Sequence, residues 1–202
     1  VNNPDRKSVA IIDGGGANIA SLRFALERLD CTAVLSTDRA VISAATHVIL
    51  PGVGAARSAM DQLRRHDLDQ LIPHLTQPFL GICLGMQLLF DSSAEEDCPC
   101  LGIIPGRAER FPAHPERPVP HMGWNQLTRL GDSPLLSGIA DGEYFYFVHS
   151  YALPVSTATI ASSDYGQPFA AAVAQRNFVA TQFHPERSGA AGARLLANFL
   201  AL

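Results

Sequence analysis

Two short stretches of this chain hold residues whose types and spacing could do chemistry together. Cys83 lies in Gly81-Ile82-Cys83-Leu84-Gly85, and His184 and Glu186 lie in Phe183-His184-Pro185-Glu186. Glycine two residues to either side is what a nucleophile requires on a sharp strand-to-helix turn, where bulk at those positions would collide. Such a turn leaves the sulfur beside unpaired backbone N–H groups at a helix start, which favour thiolate, the attacking species. The same groups, the N–H of Leu84 first among them, can donate to the oxyanion of a tetrahedral intermediate. A G-x-C-x-G alone also describes a buried core cysteine, so the reading needs a base. His184 can take the thiol proton and return it to a leaving amine, and Glu186 can hold the imidazole in the right tautomer. Pro185 fixes the backbone between them.

The elements that must position these groups follow from periodicity. Val9-Ala10-Ile11-Ile12 reads as a buried strand broken by Gly14-Gly15-Gly16, after which Leu22, Ala25, Leu26 and Leu29 recur at helical spacing. Strands are expected over Cys31–Leu35, His47–Leu50 and Phe79–Ile82, with helices over Ala56–Arg65 and from Leu84 to Phe90. This β-α-β-α order predicts an α/β fold, a doubly wound, mostly parallel sheet. The second half differs. Strand-like runs at Trp124–Gln126, Tyr144–Val148, Thr159–Ala161, Phe169–Ala174 and Phe178–Phe183 lie close together, separated by turn signals. They predict an antiparallel or mixed region joined to the parallel core, closed by a helix over Ala190–Leu202. Both reactive stretches follow a predicted strand, where α/β enzymes place their chemistry.

Composition narrows the classes. A chain of 202 residues, 47% hydrophobic, fits one domain, residues 1–202, with a substantial core. The net charge is -4 and no Lys/Arg run occurs, so nucleic acid is not an expected partner. No apolar stretch is long enough to span a bilayer, so no membrane is expected either. Val1-Asn2-Asn3-Pro4-Asp5 is not the start of a signal peptide, so a cytoplasmic location is expected. Cys98-Pro99-Cys100 has a one-residue gap and not the C-x-x-C of zinc sites, and Cys31 sits in a strand-like run. Gly14–Gly16 lacks the Lys-Ser/Thr of a phosphate-binding loop and reads as a tight turn. His47, His66, His74 and His114 have no chemical context.

Gly81-Ile82-Cys83-Leu84-Gly85-Met86-Gln87 with His184-Pro185-Glu186-Arg187-Ser188 resembles the class I (triad) glutamine amidotransferases. Three further stretches are similar to the glutaminase subunits of imidazole glycerol phosphate synthases: Pro51-Gly52-Val53-Gly54, Pro120-His121-Met122-Gly123-Trp124-Asn125 and Tyr146-Phe147-Val148-His149-Ser150-Tyr151. The resemblance runs from about Val9 to the C-terminus. It implies a Cys83-His184-Glu186 triad that hydrolyses glutamine to glutamate and ammonia through a thioester, with no metal or organic cofactor. It implies oxyanion donors at Val53 and Leu84, and glutamine contacts at Gly52, Gly54, Gln87, Glu95, Ser150 and Tyr151, with Glu96 the alternative to Glu95. The partner it implies is a (β/α)8-barrel cyclase subunit that receives the ammonia, faced by Asn18, Met122, Trp124, Tyr146 and Arg187. Two positions depart from the family pattern: Gly14 to Ala17, and Arg187 where lysine is commoner.

Overall fold

The computed structural model describes residues 7–14 and 19–202. The elements run β1 (Val9–Ile12), α1 (Ile19–Glu27), β2 (Ala33–Ser36), α2 (Arg39–Ala44), β3 (His47–Gly52), α3 (Ala56–Arg65), the single turn α4 (Leu68–Leu71) and β4 (Phe79–Cys83), with α2 and α4 in addition to the expected helices. Then come α5 (Leu84–Gln87), β5 (Phe90–Ser93), β6 (Cys98–Pro99), β7 (Ile104–Arg110), β8 (His121–Gln126) and β9 (Thr128–Arg129). The chain ends with β10 (Tyr144–His149), β11 (Tyr151–Ala152), β12 (Thr159–Asp164), β13 (Pro168–Gln175), β14 (Phe178–Thr181) and α6 (Gly189–Leu200).

Among the described residues the main sheet has eight strands in the order β2-β1-β3-β4-β14-β13-β12-β9. The pairs from β2 to β14 are parallel, and those from β14 to β9 antiparallel. The expected α/β class and mixed second half are both present. Successive side chains point to opposite faces, so one strand feeds two cores. On β1, Val9 and Ile11 pack with Leu22, Leu26 and Phe199 on one face, while Ala10 and Ile12 pack with Ile42, Met60 and Leu63 on the other. Strands covered on both faces read as unbroken apolar runs, which is why β1 and β3 are legible. On α3, Ala56, Ala59, Met60 and Leu63 form the buried stripe expected of a surface helix.

Several boundaries move. The second strand starts at Ala33 and not Cys31, and the last helix begins at Gly189. The helix expected over Leu84–Phe90 is one turn, Leu84–Gln87, and Phe90 opens a strand. The cause is tertiary. The carbonyls of Leu88, Leu89 and Phe90 accept from the N–H groups of Leu101, Ile103, Ile104 and Gly102. The helix therefore stops and the chain enters a second sheet, β11-β7-β5-β6, which apolar periodicity does not announce.

Candidate active site

Parallel pairing brings three strand ends together. Gly52 of β3 stands opposite Cys83 of β4, and Thr181 of β14 opposite Ile82. Cys83 has φ 55° and ψ -110°, a backbone that a side-chain-bearing residue adopts at a cost of about 1–3 kcal/mol. The turn shows in the packing as well: the consecutive residues Ile82 and Cys83 join the same core layer, which an alternating strand would not allow. The glycines are steric requirements. A Cβ on Gly85 would lie 1.8 Å from the Leu50 carbonyl oxygen, and one on Gly81 2.8 Å from the Gly85 carbonyl oxygen. A Cβ on Gly52 would meet that of Leu84 at 2.9 Å. The following helix is too short for a sizeable macrodipole, so the free N–H groups of its first turn are what remains of the expected helix-start environment.

His184 follows β14, and its carbonyl accepts from the Ser188 hydroxyl at 2.7 Å and the Arg187 N–H at 3.0 Å, which fixes the one-turn 3-10 helix Pro185–Arg187. The His184 Nδ1 donates to Glu186 Oε1 at 2.8 Å, with both side chains buried. Because a carboxylate only accepts, Nδ1 carries a proton. Nε2 completes no hydrogen bond among the described residues. Burial pulls the imidazolium down, but the neighbouring Cys83 sulfur and the Glu186 carboxylate outweigh it and push His184 up to about 10. The Cys83 thiol faces the Val148 carbonyl oxygen at 3.7 Å and accepts from Gln182 Nε2 at 3.6 Å. Sequence reasoning misses Gln182, which is fully buried; its signal is a polar amide at the end of an apolar strand, one residue past the register partner of Ile82.

A cavity of about 280 Å³ opens over the sulfur. Of the residues expected in the site, Val53, Gly54, Leu84, Gln87, Glu95, Ser150 and Tyr151 line it with Cys83. Gly52 does not; it lines a smaller cavity of about 70 Å³ with Val53, Val148, His184, Glu186 and Arg187. Geometry separates the two glutamates. Glu95 faces the cavity and accepts from the Ala56 N–H at 2.8 Å, whereas Glu96 pairs with Arg57 on the surface. Among the described residues no group of three His, Cys, Asp or Glu side chains is placed to hold a metal ion.

The outer face of the β8–β10 hairpin is apolar and open. Met122 is 64% and Trp124 56% exposed, and Trp124 meets Tyr146 edge-on across the register. Arg187 lies over the Tyr146 ring, 4.4 Å from its centroid, joining the hairpin to the turn that carries His184 and Glu186. Asn18 and Gly15 to Ala17 lie outside the described residues. No helix among the described residues is long and apolar enough to cross a membrane.

The fold and sequence have counterparts among known proteins. The chain is 52% identical over 193 residues to "Imidazole glycerol phosphate synthase subunit HisH" of Yersinia pseudotuberculosis, covering 95% of this chain and 98% of that protein. It is 49% identical over 207 residues to the protein of the same name from Shewanella sediminis, covering 100% and 94%. Among solved structures, PurLQS from Thermotoga maritima superposes with a TM-score of 0.72 at 16% identity, over 97% of this chain and 98% of that one. This likeness speaks for the fold alone. The profile described as "Glutamine amidotransferase class-I" matches residues 10–202, nearly the whole chain, and with the half-identical relatives it settles the matter: this chain belongs to the class I glutamine amidotransferase family.

Proposed function

We propose that the chain is the glutaminase subunit of an imidazole glycerol phosphate synthase, releasing ammonia from glutamine for histidine biosynthesis. The observation that carries the reading is Cys83 on a strained turn at the floor of the cavity, beside a buried His184–Glu186 pair, in a chain half-identical to synthase subunits. We take this domain to be residues 1–202, acting in the cytoplasm, where Cys83 stays reduced.

The proposed cycle uses this chain's residues alone. The Cys83 sulfur attacks the side-chain amide carbon of glutamine. Backbone N–H groups of Leu84 and Val53 hold the oxyanion; both residues line the cavity beside the sulfur. A His184 that keeps its proton well above neutral pH is ready to give it to the departing amine. Ammonia leaves and a thioester remains. Water then attacks, His184 takes its proton, and the sulfur departs from glutamate. Glu186 holds the ring by Nδ1 throughout. Gln87, Glu95, Ser150, Tyr151 and Gly54 hold the substrate, with the Glu95 carboxylate facing its ammonium group. Gly52, behind the oxyanion segment, shapes the turn.

The partner in this reading is a (β/α)8-barrel cyclase subunit seated on Met122, Trp124, Tyr146 and Arg187. Glutamate release separates the possibilities: the chain alone, then with the cyclase partner and its nucleotide, with Cys83→Ala as blank. Strong release only in the complete mixture, absent from the blank, is expected. Equal release without a partner would discard the pathway and keep the triad. No Cys83-dependent release in any mixture would discard the glutaminase.

A further inference from the structure

The β8–β10 hairpin carries two histidines that the cycle above does not use. His121 stands opposite His149 in the register, both buried, with Phe111, Phe147, Phe169 and Tyr165 packed around them. Their ring nitrogens form a line. His149 Nδ1 lies 2.8 Å from the Tyr151 carbonyl oxygen, and His149 Nε2 3.0 Å from His121 Nδ1. His121 Nε2 lies 3.3 Å from Asn125 Nδ2.

Both ends dictate where the protons sit. The Tyr151 oxygen only accepts, so His149 Nδ1 carries its proton and Nε2 a lone pair. That lone pair requires a proton on His121 Nδ1, which leaves His121 Nε2 an acceptor. At the far end Asn125 Oδ1 accepts from the Gln126 N–H at 2.8 Å, turning Nδ2 toward His121, and Nδ2 also donates to the Asp164 carbonyl at 2.8 Å. One arrangement satisfies every atom: both rings neutral, both protonated on Nδ1, every donor pointing toward the cavity. A second proton on either ring would aim a donor at a donor. Burial works the same way, lowering His121 to about 4 and His149 to about 3.

The line does not stop at Tyr151. Its carbonyl also accepts from Gln87 Nε2 at 2.9 Å, the same nitrogen donates to Gln182 Oε1 at 2.9 Å, and Gln182 Nε2 reaches the Cys83 sulfur at 3.6 Å. Gly123, with φ +137°, sits between His121 and Asn125 on the inner face and puts no side chain between them. Its strand neighbours Met122 and Trp124 point the other way, into the open.

We propose that His121 and His149 are positioning residues: a hydrogen-bonded line of fixed polarity that ties the exposed hairpin to the Ser150–Tyr151 wall of the glutamine cavity. The role rests on the glutaminase reading. His149 lines the cavity beside Ser150 and Tyr151, and the cycle gives neither ring a proton to move or a bond to form. Tyr151 faces the substrate, so the carbonyl that closes the line sets where that wall stands.

The line is tested first without substrate. In the full chain labelled with 15N-histidine, long-range 1H–15N correlations at pH 7 read the tautomer of each ring, with His121→Phe and His149→Asn supplying the assignments. Two neutral, Nδ1-protonated rings are expected; a charged ring or an Nε2-protonated one overturns the line. In the assembled synthase, His121→Phe keeps the aromatic packing but removes the donor to His149. It is expected to raise the glutamine KM about three- to tenfold, the effect of one buried hydrogen bond, with kcat little changed. His149→Phe is expected to do the same, and His149→Asn, whose amide can still donate to Tyr151, to recover most of the loss. An unchanged KM in folded His121→Phe overturns the positioning role. Wrong tautomers alongside normal Cys83-dependent glutamate release sink the line alone. Correct tautomers with no such release in the unsubstituted complex sink the glutaminase reading, and the role with it.

Discussion

At the scale of single residues the site depends on one buried contact, His184 Nδ1 to Glu186 Oε1 at 2.8 Å. A carboxylate there stabilises the imidazolium; an amide of the same shape keeps the hydrogen bond but not the charge. Glu186→Gln is therefore expected to cut Cys83-dependent kcat by about 10²- to 10⁴-fold while leaving glutamine KM nearly unchanged, as read by glutamate release in the assembled enzyme. A loss confined to KM would place Glu186 in substrate binding instead. The sign of the pH effect also follows. His184 is raised above its ordinary 6.5, so its contribution to stability is fully present below about pH 6.5 and lost as pH rises toward about 10. His121 and His149 are lowered and act in the opposite direction. Their contribution is present above about pH 6.5 and lost as pH falls toward about 4 and about 3, roughly 1–2 kcal/mol for each ring by pH 5. Urea midpoints of the chain between pH 4 and 7 measure it. His121→Phe should flatten the acid limb, and an unaltered slope would show that these rings do not govern it.

At the scale of elements, the elbow is a packing problem solved by glycine at Gly52, Gly81 and Gly85. Gly85→Ala would drive a methyl group into the Leu50 carbonyl oxygen, so β3 and α5 must part; about 3 kcal/mol of stability is expected to be lost in urea unfolding. Gly54→Ala is the comparison. Its φ is +94° and no atom lies within 4 Å of the added Cβ, so only backbone strain, about 1 kcal/mol, opposes it. Similar losses at both positions would mean that close approach is not what the elbow glycine serves. The same contrast explains what the sequence makes legible. β1, β3, α3 and the nucleophile turn are visible because burial on both faces, a helical stripe and paired glycines each leave a local pattern. The sheet β11-β7-β5-β6 leaves none. β5, β6 and β11 are short, β7 contains Pro105 and Gly106, and β11 comes from a distant part of the chain. Gln182 and the His121–His149 line are hidden for a related reason: the pairing of His121 with His149, 28 positions apart, and of Gln182 with Cys83, 99 apart, is not expressed by any spacing within a motif.

At the scale of the whole molecule, the chemistry sits between an open cavity and a second, smaller one behind it, with Val53 and Val148 lining both. In the proposed cycle substrate enters the first. The second borders His184, Glu186 and Arg187, and Arg187 stacks on the Tyr146 of the apolar hairpin face. The smaller cavity therefore borders both the catalytic pair and the arginine that meets the exposed aromatic face. Trp124 is the natural anchor of a partner there: large, 56% exposed, and set edge-on to Tyr146. Buried aromatic anchors carry about 2 kcal/mol or more at protein interfaces. Trp124→Ala is accordingly expected to weaken binding of a barrel cyclase partner about 30-fold or more in calorimetry, with little change in the unfolding of the free chain. Val34→Ala is the control. Val34 is 54% exposed but stands on β2, at the far edge of the main sheet, so its loss should leave the affinity unaltered. If Val34→Ala weakened the complex as much as Trp124→Ala did, the partner would be seated elsewhere.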